Sequence, residues 1–294
     1  MNFYSRAGDN IYLVISYVVL AFVFLCALIP LLFVLSASLS SVEAISSGKV
    51  FIFPVGLNLK GYSTILETPR VITGFVNSLR YTSLGVIINV SMTFLAAYPL
   101  SRKDFPTRRY FLFFITFTMI FNGGMIPLFL TVNRLKLIDT IWAMVLPNAI
   151  GVYNVIICKT YIESNIPMEL HESARLDGCS ELNYLLKIIV PLSTPIFAVL
   201  VLFYAVGHWN SFFNAMLYLR DPSLQPLQVV LRDFLIIDQT ILQTDDLMSQ
   251  LEKLYMRDLL RYSLIIVASL PVLVLYPFIQ KYFIKGIMIG SLKG

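Results

Sequence analysis

The chain has 294 residues, 57% of them hydrophobic and only 13% charged, with a formal net charge of +5. A water-soluble domain carries about 25% charged residues, so this composition excludes an ordinary soluble enzyme and indicates a polytopic membrane protein. The basic balance suits a chain facing anionic lipid, and no run of Lys and Arg interleaved with aromatics points to nucleic acid.

Six windows of at least 19 residues contain no Asp, Glu, Lys or Arg: Asn10–Val42, Tyr81–Ser101, Tyr110–Asn133, Thr140–Cys158, Ile188–Leu219 and Tyr262–Gln280. About 20 residues at 1.5 Å per residue cross the hydrocarbon core, and open strands would leave backbone groups unpaired there. The expected fold class is therefore all-α, with six transmembrane helices in one membrane domain over residues 1–294. The first window is too long for a signal-peptide core. It reads as a retained span, although Ser36-Ala37-Ser38 mimics a cleavage site. The second span is predicted to begin near Val71, which places Arg80 near its outer third, snorkelling to the interface.

Arg102, Lys103, Arg108 and Arg109 crowd the connection between spans two and three, whereas the next connection holds only Arg134 and Lys136. The positive-inside rule then puts the first connection, both termini and a polar loop over 161–192 in the cytoplasm. The long outer loops are 43–70 and 220–261. The second is acidic, with Asp221, Asp233, Asp238, Asp245, Asp246, Glu252 and Asp258, and it contains apolar pieces such as Pro226–Leu231. It reads either as an ordered surface for an extracytoplasmic partner or as a solvated connector. The tail, Lys281–Gly294, has no strong helix signal.

The polar loop between spans four and five carries the clearest local pattern. Pro167 suits the first position of a helix, Glu169 its first turn, and Leu170, Ser173, Ala174 and Asp177 one face. Gly178 suits the left-handed residue that ends such a helix. Ser180 can cap a second helix over Glu181–Val190, which Pro191 stops. The result is a helix, a Gly turn and a second helix outside the bilayer, shaped to fit a partner's groove or, more plainly, a surface hairpin.

No Gly-x-x-x-x-Gly-Lys-Ser/Thr sequence occurs, so no phosphate-cradling loop for ATP is expected on this chain. His171 and His208 stand too far apart and too short of Cys or carboxylate company for a metal site, and no catalytic arrangement presents itself. Cys26, Cys158 and Cys179 form no paired framework and read as small packing residues. The charge-free windows lack the carboxylates expected of ion coupling. A stand-alone ion-coupled secondary transporter or channel is therefore the alternative to a permease whose energy comes from another chain.

Polar and aromatic residues inside the windows are the remaining signal. Span five carries Tyr204, His208, Trp209, Asn210, Phe213 and Asn214; span four carries Asn148, Tyr153 and Asn154; span three carries Asn122 before Gly123-Gly124. Amides exchange hydrogen bonds with sugar hydroxyls, and rings take the C–H faces of sugars. The candidate substrate pathway is thus Tyr204, Trp209, Asn210, Phe213, Asn214, Asn154, Tyr153 and Asn122. Interhelical hydrogen bonding, worth about 0.6 kcal/mol in membranes, is the competing role for each Asn.

Glu172-Ser173-Ala174, Asp177-Gly178, Ile188 and Pro191 together resemble the EAA loop of ABC importer permeases. Here Ser173, Cys179 and Leu185 replace the usual Ala, Ala and Phe. FNGGMIPLFL (121–130), FYAVGHWNSFFNAMLYL (203–219) and the ending QKYFIKGIMIGSLKG resemble carbohydrate-type, maltose-like ABC permeases, nearest the branch that takes up complex oligosaccharides such as alginate or pectin fragments. The resemblance implies a heterodimer with a second homologous permease. It also implies two cytoplasmic ABC ATPases carrying ATP and Mg, and an extracytoplasmic solute-binding protein. This chain would carry no cofactor and no enzymatic activity, and would lie in the bacterial cytoplasmic membrane. The same resemblance assigns ATPase coupling to Glu172, Ser173, Ala174, Asp177 and Gly178, and a contact toward the ATPases to the tail 286–294.

Overall fold

The computed structural model describes residues 5–236, 255, 257, 259–277 and 280. The tail 281–294 and the middle of the second outer loop lie outside the described residues. Within them the chain is helical and contains no strand. The chain packs as two compact units. One falls within Met1–Pro69 and Leu231–Ser269, the other within Arg70–Val230 and Leu270–Gly294.

In the first unit α1 (Ser5–Ser38) is followed by two short helices, α2 (Val42–Ser46) and α3 (Lys60–Glu67). Nearly every apolar side chain from Ile11 to Leu31 is exposed, as expected of a helix solvated by lipid or by another membrane chain. Serines fasten the loop that follows. Ser40 donates to the carbonyl of Ser36 (2.6 Å) and accepts from the N–H of Val55 (3.0 Å), and the Tyr62 hydroxyl donates to Ser38 (2.8 Å).

The second unit is built on α4 (Pro69–Ser101), 33 residues long and two residues earlier in its start than Val71. Pro69 stands first, where its missing N–H costs nothing. Every fourth residue from Asn77 to Ser101 is buried: Asn77, Tyr81, Gly85, Asn89, Thr93, Ala97 and Ser101. That is one ridge of an α-helix, and most of it is polar. At its start Asn77 donates to the carbonyl of Ser223 (2.7 Å), Tyr81 to that of Leu224 (2.6 Å), and Ser78 accepts from the N–H of Leu227 (2.8 Å). Arg80 is exposed.

Three bent pairs of helices are together long and apolar enough to cross a membrane. They are α5 (Arg108–Ile120) with α6 (Met125–Arg134) at 112°, α7 (Ile141–Val145) and a 3-10 turn with α8 (Val152–Asn165) at 54°, and the stretch Glu181–Leu192 with α12 (Thr194–Trp209) at 80°. Between the last two pairs lies α9 (Met168–Leu176). The stretch Glu181–Leu192 itself comprises α10 (Glu181–Tyr184), a π-helical turn (Leu185–Ile189) and α11 (Val190–Leu192). After α12 come α13 (Phe212–Tyr218) and α14 (Leu227–Ile236). A last helix, α15 (Leu259–Pro277), is long and apolar enough to cross a membrane, as are α1 and α4. The charge-free windows predicted unbroken spans three, four and five. Hydropathy does not see the breaks, because Asn-Gly-Gly, Pro-Asn and Ser interrupt backbone geometry without introducing charge.

The main core joins stripes of three helices: Val90, Phe94 and Ala97 of α4; Val155, Cys158 and Ile162 of α8; Ile196, Leu200 and Tyr204 of α12. Each stripe repeats at three- or four-residue steps, the spacing of one helix face. Phe94 stacks on Phe197 with centroids 4.5 Å apart.

Candidate functional site

The α5–α6 break is made by Phe121–Gly124. The Asn122 side-chain oxygen accepts the N–H of Gly124 (3.0 Å), closing a local turn. Gly124 holds φ 83 and ψ 177, a region that side chains disfavour. A second break follows the 3-10 turn Leu146–Asn148, and a third separates α12 from α13 at Asn210-Ser211. A cavity of about 540 Å³ opens among these breaks, lined by Asn122, Gly124, Thr131, Asn148, Phe213, Asn214 and Tyr218 among others. Its size falls within the range of small-ligand sites, about 300–1,000 Å³. Broken helices at membrane depth are tolerated where they line a cavity. The named lining offers three amides, two hydroxyls and two aromatic rings, and no charge.

Behind this cavity the second break is bolted to α4 and α12. The Asn89 amide donates to the carbonyl of Asn148 (2.9 Å) and lies 3.2 Å from His208 Nε2. The Tyr204 hydroxyl bonds that of Thr93 (2.6 Å) and accepts the N–H of Gly151 (3.1 Å). Trp209 is buried, edge-on to Phe75 with centroids 5.7 Å apart.

At the other end of the unit α9 and α10 form a capped hairpin. Pro167 is the N-cap (φ −60, ψ 145), one position before its expected place in the helix. The N–H of Gly178 donates to the carbonyl of Arg175 (3.1 Å) and that of Cys179 to Ala174 (2.9 Å). This pair of bonds is the Schellman motif, and Gly178 supplies its left-handed residue at φ +73. Ser180 accepts the N–H of Asn183 and caps α10. Pro191 does not stop the second helix. It sits in the first turn of α11, following the π-helical turn, and the bend falls two residues later at Ser193. Widening the turn before a proline relieves the clash with the upstream carbonyl.

The inward face of α9 is His171 and Ala174. His171 Nδ1 lies 2.7 Å from Arg102 Nη2, and its Nε2 lies 2.8 Å from Glu181 Oε1. The Tyr98 hydroxyl donates to Glu181 Oε2 (2.8 Å). Arg102 also pairs with Asp104 through two hydrogen bonds of 3.1 and 3.0 Å, which hold the Asp104 carboxyl below the usual carboxylate range. Burial raises the Glu181 carboxyl, but the bonds from His171 and Tyr98 outweigh that and leave it lowered. Among the described residues no group of three His, Cys, Asp or Glu side chains could hold a metal.

Residues 89–289 match the family described as binding-protein-dependent transport system inner membrane component. The chain belongs to this family. This inner-membrane component is 41% identical over 277 residues to the polygalacturonan/rhamnogalacturonan transport system permease protein YtcP of Bacillus subtilis (strain 168), covering 94% of this chain and 95% of that one. It is 39% identical over 267 residues to Protein LplC of the same organism, covering 91% and 90%. Among solved structures it superposes on a chain of a bacterial ABC transporter involved in the import of the acidic polysaccharide alginate. The TM-score is 0.85 at 34% identity, over 96% of this chain and 100% of that one. The fold is thus that of an ABC transporter permease.

The residues singled out by sequence fall into separate places in this component. Asn122, Phe213 and Asn214 meet at the cavity. Tyr204 and Trp209 are buried in the frame behind it, and Asn154 is half-buried in α8. Asn210 is exposed, its amide donating to the carbonyl of Val206 (3.0 Å), and Tyr153 is exposed. Glu172, Ser173, Asp177 and Gly178 lie on the open side of the hairpin, while Ala174 faces inward. Asn89 and Thr93 escaped notice, although their four-residue spacing within a charge-free window was the signal. His171 was weighed only as a metal ligand.

Proposed function

We propose that the chain is one permease subunit of an ATP-driven importer, and that oligosaccharides of acidic sugars pass through the cavity at its helix breaks. The observation that carries this reading is the cavity itself. An uncharged lining of amides, hydroxyls and rings can exchange hydrogen bonds with successive sugar units without a fixed charge to trap them. The acidic sugar class is supported by relatives named for polygalacturonan/rhamnogalacturonan and alginate transport.

In this reading both termini and the α9–α10 hairpin face the cytoplasm. The hairpin docks on one of two ABC ATPases, which bind ATP and Mg and supply the energy. A second homologous permease completes the membrane path, and an extracytoplasmic solute-binding protein delivers the substrate to the outer loops. The open side of the hairpin suits docking, because Leu176 is 90% exposed and Leu182 63% beside Glu172 and Asp177. The work of this chain is alternating access: α9 moves with its ATPase, α4 and α12 follow, and the cavity opens first to one side and then to the other.

The test is to purify the tagged chain from its native membrane, identify what accompanies it, and reconstitute that set in liposomes. The expected result is a second permease and an ATPase, with ATP-dependent uptake of labelled oligogalacturonates in preference to neutral oligosaccharides. A chain that purifies alone and takes up sugar on an ion gradient would overturn the reading in favour of the stand-alone transporter.

A further inference from the structure

We infer that His171 is the positioning residue that pins the ATPase-docking helix α9 to the inner end of α4, through hydrogen bonds to Arg102 and Glu181. This rests on the proposed docking role of the hairpin. Among the described residues, the side-chain hydrogen bonds that reach from α9 to another element both run through His171. The only other buried residue of α9 is Ala174, whose methyl group gives packing but no direction. Without His171, α9 would have apolar contact with the core and freedom to slide on it.

The chemistry of the two partners sets the state of the ring. Arginine donates only, so Nδ1 must carry the lone pair and accept from Arg102. Nε2 then carries the proton and donates to Glu181. The imidazole therefore reads an arginine on one side and a carboxylate on the other, and it fits in one orientation only. Tyr184 closes over the ring edge-to-face with centroids 4.9 Å apart, and Tyr98 fixes the far oxygen of Glu181. His171 is 5% exposed, so the ring itself is shielded from water, whereas the Glu181 side chain that it meets is 65% exposed. Tyr98 and Arg102 belong to the last turn of α4 and the residue after it, whereas Glu181 and Tyr184 belong to α10. One side chain of α9 thus joins three elements, and a displacement of α9 is delivered to α4 as a directed pull.

The experiment uses the complete reconstituted importer and compares His171→Ala with His171→Gln. Gln keeps one acceptor and one donor on a side chain of similar reach; Ala keeps neither. His171→Ala is expected to assemble with the ATPases and to transport at least about tenfold more slowly, as loss of bonds to charged groups implies. His171→Gln is expected to recover to within about threefold of the natural chain, having kept both bonds. Uptake by the Ala variant near the natural rate, or a Gln variant as slow as the Ala variant, would overturn the inference. Should the Ala variant fail to accumulate, Tyr98→Phe takes its place. That change removes one bond to Glu181, and an unchanged rate in it would likewise sink the idea. Leu176→Cys reads docking separately: crosslinking from this exposed site to the ATPase in an otherwise natural complex fails only if the docking role itself is wrong.

Discussion

Replacing Gly178 with Val isolates the conformational demand of the hairpin. Gly178 sits at φ +73 with nothing within 4 Å of the place a Cβ would occupy, so no collision contributes and the whole effect is backbone strain. A left-handed L-residue costs about 1–2 kcal/mol, and a β-branched one falls at the high end. That is about a five- to thirtyfold loss of the capped conformation. The bonds at risk are those from Gly178 and Cys179 back to Arg175 and Ala174, so the last turn of α9 frays while the membrane helices are untouched. The assay is the initial rate of labelled oligosaccharide uptake in proteoliposomes holding the full complex, with the ATPase content measured on the same sample. The expected order of rates is Gly, then Asn, then Ala, then Val, because Asn tolerates the left-handed region better than other side chains. A Val variant as fast as the natural chain, or an Asn variant slower than Val, would refute the reasoning.

Trp209→Ala opens a cavity in the frame and should lower the thermal midpoint of the purified complex, at a cost of about 3–5 kcal/mol. Asn214→Ala, at the cavity, should slow uptake and leave the midpoint alone, and equal midpoints for the two variants would contradict the division between frame and lining. A double-mutant cycle of Thr93→Val with Tyr204→Phe, read by unfolding in mixed micelles, should give a coupling of about 0.6 kcal/mol and no more than about 1.7; zero coupling would mean that their bond is not made. Glu181 has a folded pKa below its ordinary value, so its contribution is complete above the unfolded value and is lost as pH falls through the folded one. Protection of α9 amides against hydrogen exchange, taken relative to the intrinsic exchange rate at each pH, should therefore fall on acidification below the usual carboxylate range, and Glu181→Gln should flatten that response. An α9 exchange profile equally acid-sensitive in both would count against the bridge.

Much of this was legible in the sequence because it rests on local rules. The helix α9, its Gly178 cap and the Ser180 cap of α10 follow from residue types at fixed offsets. The apolar windows followed from composition. What escaped was set by geometry across the fold. Hydropathy averages over Asn122-Gly123-Gly124 and Pro147-Asn148 without registering a bend, so the cavity that those bends create was invisible. The stretch Tyr204 to Asn214 reads as one feature in the sequence, yet the break at Asn210-Ser211 divides it: Tyr204 and Trp209 are buried in α12, whereas Phe213 and Asn214 belong to α13 and line the cavity. His171 has no partner nearby in sequence on one side, because Arg102 is 69 residues away.

The two ends of α4 carry a further consequence. Near its start the helix is hydrogen-bonded to residues 223–227, between α13 and α14, and beyond its last turn Arg102 holds the hairpin through His171. At 1.5 Å per residue its 33 residues reach about 50 Å without a break. In the proposed importer, partners bound at the two ends would therefore act on the same helix, and their affinities would be linked by thermodynamic reciprocity. In that importer, a delivery protein that favours one setting of α4 would raise the affinity of the ATPases for that setting by the same factor that they raise its own. Measured from either side of the membrane, the coupling free energy has one value.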